Sequence, residues 1–199
     1  MGLSYTHYIQ HEKIVRPLLG ERVSGDTAII SELENGVFLG IADVLGHGPE
    51  AHEVAVIIDD YLAAHCTSNV ETVMHGLHEL LNGTRGAAVG LCFVEAESGI
   101  VTFVGTGNTR TKKLGSSEVT LTSKDGIVGS NMRSLRTETT RLESGDILVL
   151  TTDGVKERFS LDDLPAPRGS TPASIARMLL RRFGKDYDDA ACIVLKYEP

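Results

Sequence analysis

The chain has 199 residues, 41% of them hydrophobic, and a net charge of −8 from 19 Lys and Arg against 27 Asp and Glu. This length suits one domain with a sizeable core, so we predict a single domain over residues 1–199. The acidic balance argues against nucleic acid as a partner, because phosphate backbones select surfaces rich in Lys and Arg.

Targeting and redox features indicate a cytoplasmic protein. The N-terminal residues lack the apolar stretch of a signal peptide, and no apolar run approaches the roughly 18 residues that a membrane span needs. Cys66, Cys92 and Cys192 lie far apart and form no C-x-x-C pair, which is typical of small apolar side chains in a reducing compartment. We expect a monomer that does not bind membranes.

The first half of the chain predicts a hairpin followed by two helices. Residues 26–33 and 36–43 read as strands joined by Asn35-Gly36, a pair of residues that favours tight hairpins. After Pro49, apolar residues at helical spacing predict a helix to residue 66. A second helix is predicted over 69–83, with Asn69 placed to cap it.

The second half is mainly strands. Residues 87–114 read as three strands joined by glycine-containing turns. Three more strands are predicted within 117–123, 135–142 and 146–154, followed by a helix over 171–184 and a last strand over 188–198. Helices are segregated from strands, so the order favours an α+β fold with antiparallel sheet covered by helices.

Aspartates occur where apolar runs meet polar or glycine-containing turns. Asp26 opens the first predicted strand, Asp43 closes the second, Asp153 closes a buried strand, and Asp188 and Asp189 open the last. One such aspartate usually fixes a turn or caps a helix. Several carboxylates that converge stay ionised only with cations among them, and oxygen ligands favour Mg²⁺ or Mn²⁺ over zinc. The pattern predicts a metal centre at one rim of the sheet.

Such a centre would suit hydrolysis of a phosphate ester. Two ions about 3.5–4 Å apart, bridged by water, lower the pKa of that water until hydroxide is available near neutral pH. The same ions attract a phosphate dianion that the acidic site would repel without them. A main-chain carbonyl at Val44 could also bind an ion.

Four segments together resemble a known family. They are SGD at 24–26, ADVLGHG at 42–48, TTDGV at 151–155 and DDAACIVL at 188–195. In this order they resemble the signature segments of the metal-dependent PPM-type protein serine/threonine phosphatases. The likeness is greatest to the branch that contains SpoIIE, RsbU and RsbX, and the chain has the length of an RsbX-like stressosome phosphatase.

The resemblance implies a four-layer αββα sandwich of two antiparallel β-sheets flanked by helices, with two Mn²⁺ or Mg²⁺ ions at one rim. Asp43 is then the bridging ligand and Val44 the carbonyl ligand. Asp153 and Asp188 bind the second ion, and Asp26 acts through water or as a supporting carboxylate. The implied substrates are phosphoserine and phosphothreonine on STAS-domain stressosome proteins, whose signalling the enzyme resets.

The chain departs from the family pattern at three positions. Ala191 stands where the family often has Thr, Asp189 where many members have Asn, and Val44 where many relatives have Gly. None of these changes removes a carboxylate implied as a ligand, so the resemblance still predicts an active enzyme.

Some roles remain open at the level of sequence. His47 is a candidate general acid for the leaving oxygen, and the alternative is a turn residue near the metal rim. Arg110 or Arg22 could grip phosphate. No cysteine occurs in a C-x₅-R pattern, which argues against the cysteine-based phosphatases. A catalytically silent phosphoprotein-binding module and a hydrolase of small phosphate esters are the alternative functions.

Overall fold

A computed structural model describes residues 9–164 and 169–199. Residues 1–8, which include much of the segment considered above for a signal peptide, lie outside the described part. Within the described residues, three α-helices and ten strands follow in chain order: β1 Ile9–Arg16, β2 Asp26–Leu33, β3 Gly36–Val44, α1 Pro49–His65, α2 Val70–Leu80, β4 Ala87–Glu95, β5 Ile100–Thr106, β6 Arg110–Leu114, β7 Val119–Thr122, β8 Glu138–Arg141, β9 Ile147–Thr151, α3 Pro172–Phe183 and β10 Ala190–Tyr197.

The strands form two antiparallel five-stranded sheets. One has the order β1-β10-β9-β6-β7 and the other the order β2-β3-β4-β5-β8. Side chains such as Leu39, Phe103 and Ile193 fill the space between the sheets. The outer face of the β2–β8 sheet packs against α1 and α2, and the outer face of the other sheet packs against α3. The predicted four-layer αββα sandwich is confirmed.

Local sequence signals account for most element boundaries. The Asn35-Gly36 turn joins β2 to β3 in register, so that Leu33 pairs with Gly36. Asn69 caps α2 by accepting a 3.1 Å hydrogen bond from the Thr72 amide. These short-range interactions satisfy backbone groups that the start of a helix or a turn leaves free.

Strand β1 was not predicted from the sequence. It pairs antiparallel with β10, from Ile9 opposite Tyr197 to Arg16 opposite Ala190, at the edge of its sheet. Only Ile9 of the strand is buried, so the apolar alternation that would indicate a strand is weak. Pairing with β10, rather than local pattern, determines this element.

Cys92 and Cys192 are buried and all three cysteines are unpaired, and burial raises the pKa of the Cys192 thiol to about 12. The cysteines therefore pack as small side chains, as expected. Among the described residues, no helix combines the length and the apolar character needed to cross a bilayer.

Candidate metal centre

The sandwich brings the candidate aspartates to one rim. Asp26 begins β2 and faces Asp43, near the end of β3, as a register pair. Asp153 follows β9 and Asp188 precedes β10, which pair antiparallel in the other sheet. Asp43, Asp153 and Asp188 line one open cleft of about 660 Å³. Asp26 does not line this cleft, because it is 95% buried beneath the rim.

The negative charges of the carboxylates at the rim interact with one another. Burial raises the pKa of Asp43 to about 7, and the negative charges of Asp153 and Asp188 contribute in the same direction. Burial and the neighbouring Asp43 also raise the pKa of Asp26 well above its usual value. These acids are costly to ionise together without a positive charge among them.

The carboxylate oxygens at the rim are donors that fit a hard divalent cation. In the described part of the chain, no three His, Cys, Asp or Glu side chains are arranged to hold a metal ion. Asp153 instead accepts a 2.9 Å hydrogen bond from Asn108, and its other oxygen lies 3.8 Å from Lys185 Nζ. Carboxylate oxygens gathered at one place are the ligands that Mg²⁺ and Mn²⁺ select.

Val44 can contribute only its main chain to the rim. Its side chain is fully buried in the core between the β2–β8 sheet and its helices. Its amide donates a 3.2 Å hydrogen bond to the Gly25 carbonyl, which ties the end of β3 to the residue before Asp26. A branched side chain here is therefore compatible with a carbonyl ligand at the same position.

The glycine-rich turn after β3 is held by Arg85. Gly46 and Gly48 both have positive φ angles, 91° and 75°, which glycine adopts without strain. A Cβ atom at Gly46 would lie 2.5 Å from the Arg85 guanidinium, which donates a 3.0 Å hydrogen bond to the Leu45 carbonyl and pairs with Glu50. The sequence identified the turn but not the arginine that fixes it.

The remaining candidates line the cleft or a cavity near it. His47 lines it with an exposed ring, whose Nδ1 lies 3.5 Å from Glu21 Oε1. Arg110 pairs with Glu157 in a groove that Asp153 also lines. Arg22 is exposed and lines a separate cavity that includes Asp26. Each arginine thus shares a cavity with one of the candidate aspartates, Arg110 with Asp153 and Arg22 with Asp26.

Gly154 explains how Asp153 and Asp188 come together. A Cβ atom at Gly154 would lie only 1.8 Å from the Asp189 carbonyl oxygen, so only glycine permits this approach. Asp189 itself turns inward and accepts hydrogen bonds of 2.7 Å from the Leu18 amide and 2.8 Å from the Gly25 amide. Of the two neighbouring aspartates, Asp188 faces the cleft and Asp189 fixes the connection between β1 and β2.

Sequence reasoning missed three residues that contact the candidate ligands. Asn108 and Lys185 both contact Asp153, and Thr152 donates a 2.6 Å hydrogen bond to Asp26. Asn108 lies in a glycine-containing turn between two of the strands predicted over 87–114. Its place in that turn was the only signal that the sequence offered. Thr152 also accepts a 2.9 Å hydrogen bond from the Ala191 amide, so a hydroxyl is present beside the residue where the family often has Thr.

Comparison with known proteins identifies the family. The family model of Stage II sporulation protein E (SpoIIE) matches residues 34–198. No curated protein sequence is significantly similar to the chain. The chain is similar to a protein solved in work on the bacterial stressosome as a modular system adapted to control secondary messenger signalling. The identity is 28% over 94% of this chain and 99% of the other, with a TM-score of 0.88.

Two further solved structures share the fold. RsbX in complex with magnesium is 20% identical over 96% of both chains, with a TM-score of 0.85. The phosphatase domain of SpoIIE from Bacillus subtilis, with a fragment of its regulatory domain, is 20% identical over 96% of this chain and 62% of the other, with a TM-score of 0.70. From the family match, the chain belongs to the SpoIIE family and is a metal-dependent protein serine/threonine phosphatase of the PPM type.

Proposed function

We propose that the rim binds two divalent ions, Mn²⁺ or Mg²⁺, through the carboxylates of Asp43, Asp153 and Asp188 and the main-chain carbonyl of Val44, with Asp26 acting through water or as a supporting carboxylate. The observation that carries this proposal is the convergence of Asp43, Asp153 and Asp188 on one open cleft. Burial, and then the negative charges of Asp153 and Asp188, raise the pKa of Asp43 to about 7. Cations relieve that repulsion and hold the acids ionised at neutral pH.

Each residue has a part in the proposed reaction. Bound ions would supply an activated water and positive charge for the phosphoryl group. Asp43, Asp153 and Asp188 line the cleft and would hold the ions, while the buried Asp26 would support Asp43 from beneath. His47 lines the same cleft with an exposed ring, from where it can donate a proton to the leaving serine or threonine oxygen.

We further propose that the substrate is a phosphorylated STAS-domain stressosome protein, and that the enzyme acts as a cytoplasmic monomer to reset the signal. The support is the 28% identity, over nearly the full length of both chains, to a protein solved in work on the bacterial stressosome. RsbX adds support from the fold, with a TM-score of 0.85.

The test is release of inorganic phosphate from a phosphorylated STAS-domain protein. We expect release with Mn²⁺, none with EDTA, and loss in Asp43→Asn and in Asp153→Asn. Asp60→Asn is the matched control, because Asp60 is exposed on α1 and lines none of the cavities described here. Release that persists in EDTA, or in both rim variants, would contradict the metal-dependent mechanism at this rim.

The alternative functions have distinct outcomes in the same assay. Tight binding of the phosphoprotein without release under any metal would favour a catalytically silent binding module. Release from small phosphate esters but from no phosphoprotein would favour a small-molecule hydrolase. The first outcome opposes catalysis itself, whereas the second opposes only the substrate class.

A further inference from the structure

A basic groove adjoins the acidic cleft. It has a volume of about 620 Å³ and lies between the segment after β9, the start of β6 and the end of α3. Five cationic side chains line it, against the carboxylates of Asp153 and Glu157: Arg110, Lys156, Arg158, Arg182 and Lys185. In a chain with a net charge of −8, this is a local excess of positive charge. Asp153 also lines the cleft, so the two cavities meet at the rim.

Two of the five cations have no side-chain partner in the part of the chain that the structure describes. Arg110 pairs with Glu157, and Arg182 lies 3.2 Å from Asp163. Lys185 lies near Asp153 and Asp188. Lys156 and Arg158 are exposed, and within residues 9–164 and 169–199 their side chains have no hydrogen bond or ion pair.

The backbone that carries these two residues is fixed. The Lys156 amide donates a 2.8 Å hydrogen bond to the Phe183 carbonyl, and the Lys185 amide donates one of 2.8 Å to the Gly154 carbonyl. The ammonium of Lys112 donates a 2.6 Å hydrogen bond to the Glu157 carbonyl. The segment is thus attached on both sides, and its cations are presented from a defined backbone.

The groove continues towards β7. A neighbouring cavity of about 470 Å³ shares Arg110, Glu157 and Arg158 with it, and adds Lys112 and Asn108. Asn108 also lines the acidic cleft. An extended chain advances about 3.3–3.6 Å per residue. When the phosphorylated residue of a polypeptide enters the cleft, the residues next to it in the polypeptide therefore lie beside the positive charges of the groove.

We propose that this basic groove docks an acidic segment next to the phosphorylated residue of the substrate, and this inference rests on the proposed phosphoprotein phosphatase function. Complementary charge identifies the occupant, because Lys156 and Arg158 present positive charges that have no partner among the described residues. Such complementarity contributes specificity and association rate. The groove therefore selects phosphoproteins by the charge of the flanking sequence, while the cleft performs the hydrolysis.

The experiment compares two phosphoserine peptides with identical centres, one flanked by Asp and Glu and the other by Asn and Gln. We expect the wild type to have a kcat/KM roughly tenfold higher for the acidic peptide, and the preference to decline with salt. The double variant Lys156→Glu/Arg158→Glu should lose or invert that preference.

The matched control reverses the same number of charges elsewhere. Arg141 on β8 and Arg177 on α3 are exposed and line none of the cavities described here, so Arg141→Glu/Arg177→Glu should keep the preference. Thermal melting followed by circular dichroism verifies that both double variants fold. An equal effect of the two double variants, or a wild type without preference, would overturn the groove proposal.

Failure of the proposed function has a separate signature. A wild type that releases no phosphate even from p-nitrophenyl phosphate with Mn²⁺ is not the proposed phosphatase. Docking at the groove is then tested by measuring the binding of the labelled acidic peptide with fluorescence anisotropy. Weaker binding by the groove variant than by the control variant supports docking at the groove, and equal binding by both refutes it.

Discussion

The hydroxyl of Thr152 donates a 2.6 Å hydrogen bond to Oδ2 of Asp26 and so connects the two sheets beneath the rim. Asp26 begins β2 in one sheet, and Thr152 follows β9 in the other. Both side chains are buried, and the same hydroxyl accepts a hydrogen bond from the Ala191 amide. The contact therefore positions the deepest of the candidate carboxylates.

Replacing Thr152 with Val should destabilise the protein. The variant keeps the shape of the side chain but leaves the buried Asp26 carboxyl and the Ala191 amide without a partner, which costs about 1–3 kcal/mol of unfolding free energy. Urea denaturation in EDTA measures this loss. Thr152→Ser retains the hydroxyl and should remain close to the wild type, and a Val variant as stable as the Ser variant would contradict a role for the bond.

Stability without metal should fall as pH rises. The pKa of Asp43 is about 7 in the folded protein against an ordinary value of 3.8, so the folded state binds this proton more tightly than the unfolded state does. The resulting stabilisation is present below the ordinary pKa and is lost as pH rises through about 7.

Denaturation in EDTA at several pH values between 4 and 7 tests this expectation, with a loss of a few kcal/mol, since one pKa unit corresponds to about 1.4 kcal/mol. Asp43→Asn should give a flatter profile, because the amide does not titrate. A wild-type profile that rises over this range, or that matches the Asn variant, would show that Asp43 is not held protonated in the folded protein.

Lys185 should weaken metal binding at the rim. Its Nζ lies 3.8 Å from Asp153 and 3.5 Å from Asp188, where its charge competes with a cation for the same carboxylates. Lys185→Met should tighten Mn²⁺ binding roughly tenfold by removing that charge. Calorimetric titration with Mn²⁺ measures the change, and Lys185→Arg is the control that keeps the charge. Weaker binding by the Met variant would contradict this role.

A buried ion pair outside the site should matter for stability. Lys113 Nζ lies 3.0 Å from Asp146 Oδ2, with both side chains nearly inaccessible. Asp146 also accepts hydrogen bonds from the Ser116 and Glu143 amides. Asp146→Ala leaves the Lys113 charge buried without its partner and should cost about 3–5 kcal/mol of unfolding free energy. Chemical denaturation measures this loss of unfolding free energy. A loss smaller than that of Thr152→Val would contradict the importance of the ion pair for stability.

The sequence alone determined the parts of this protein that depend on neighbouring residues. The Asn35-Gly36 turn, the Asn69 cap and the apolar spacing of α1 act within a few positions, so they can be read directly. The same holds for the aspartates at strand ends, whose place at a rim follows from where the apolar runs stop. The fold class, and the place of Asp43, Asp153 and Asp188 at one rim, could therefore be predicted without a structure.

Only the tertiary structure decided the contacts that join distant segments. Thr152 reaches Asp26 across 126 positions, and Asn108 reaches Asp153 across 45. Edge strand β1 exists because β10 pairs with it, and Asp189 turns inward while Asp188 faces the cleft. The basic groove likewise joins β6, the segment after β9 and the end of α3. These features depend on how the two sheets pack, and no periodicity along the chain encodes that packing.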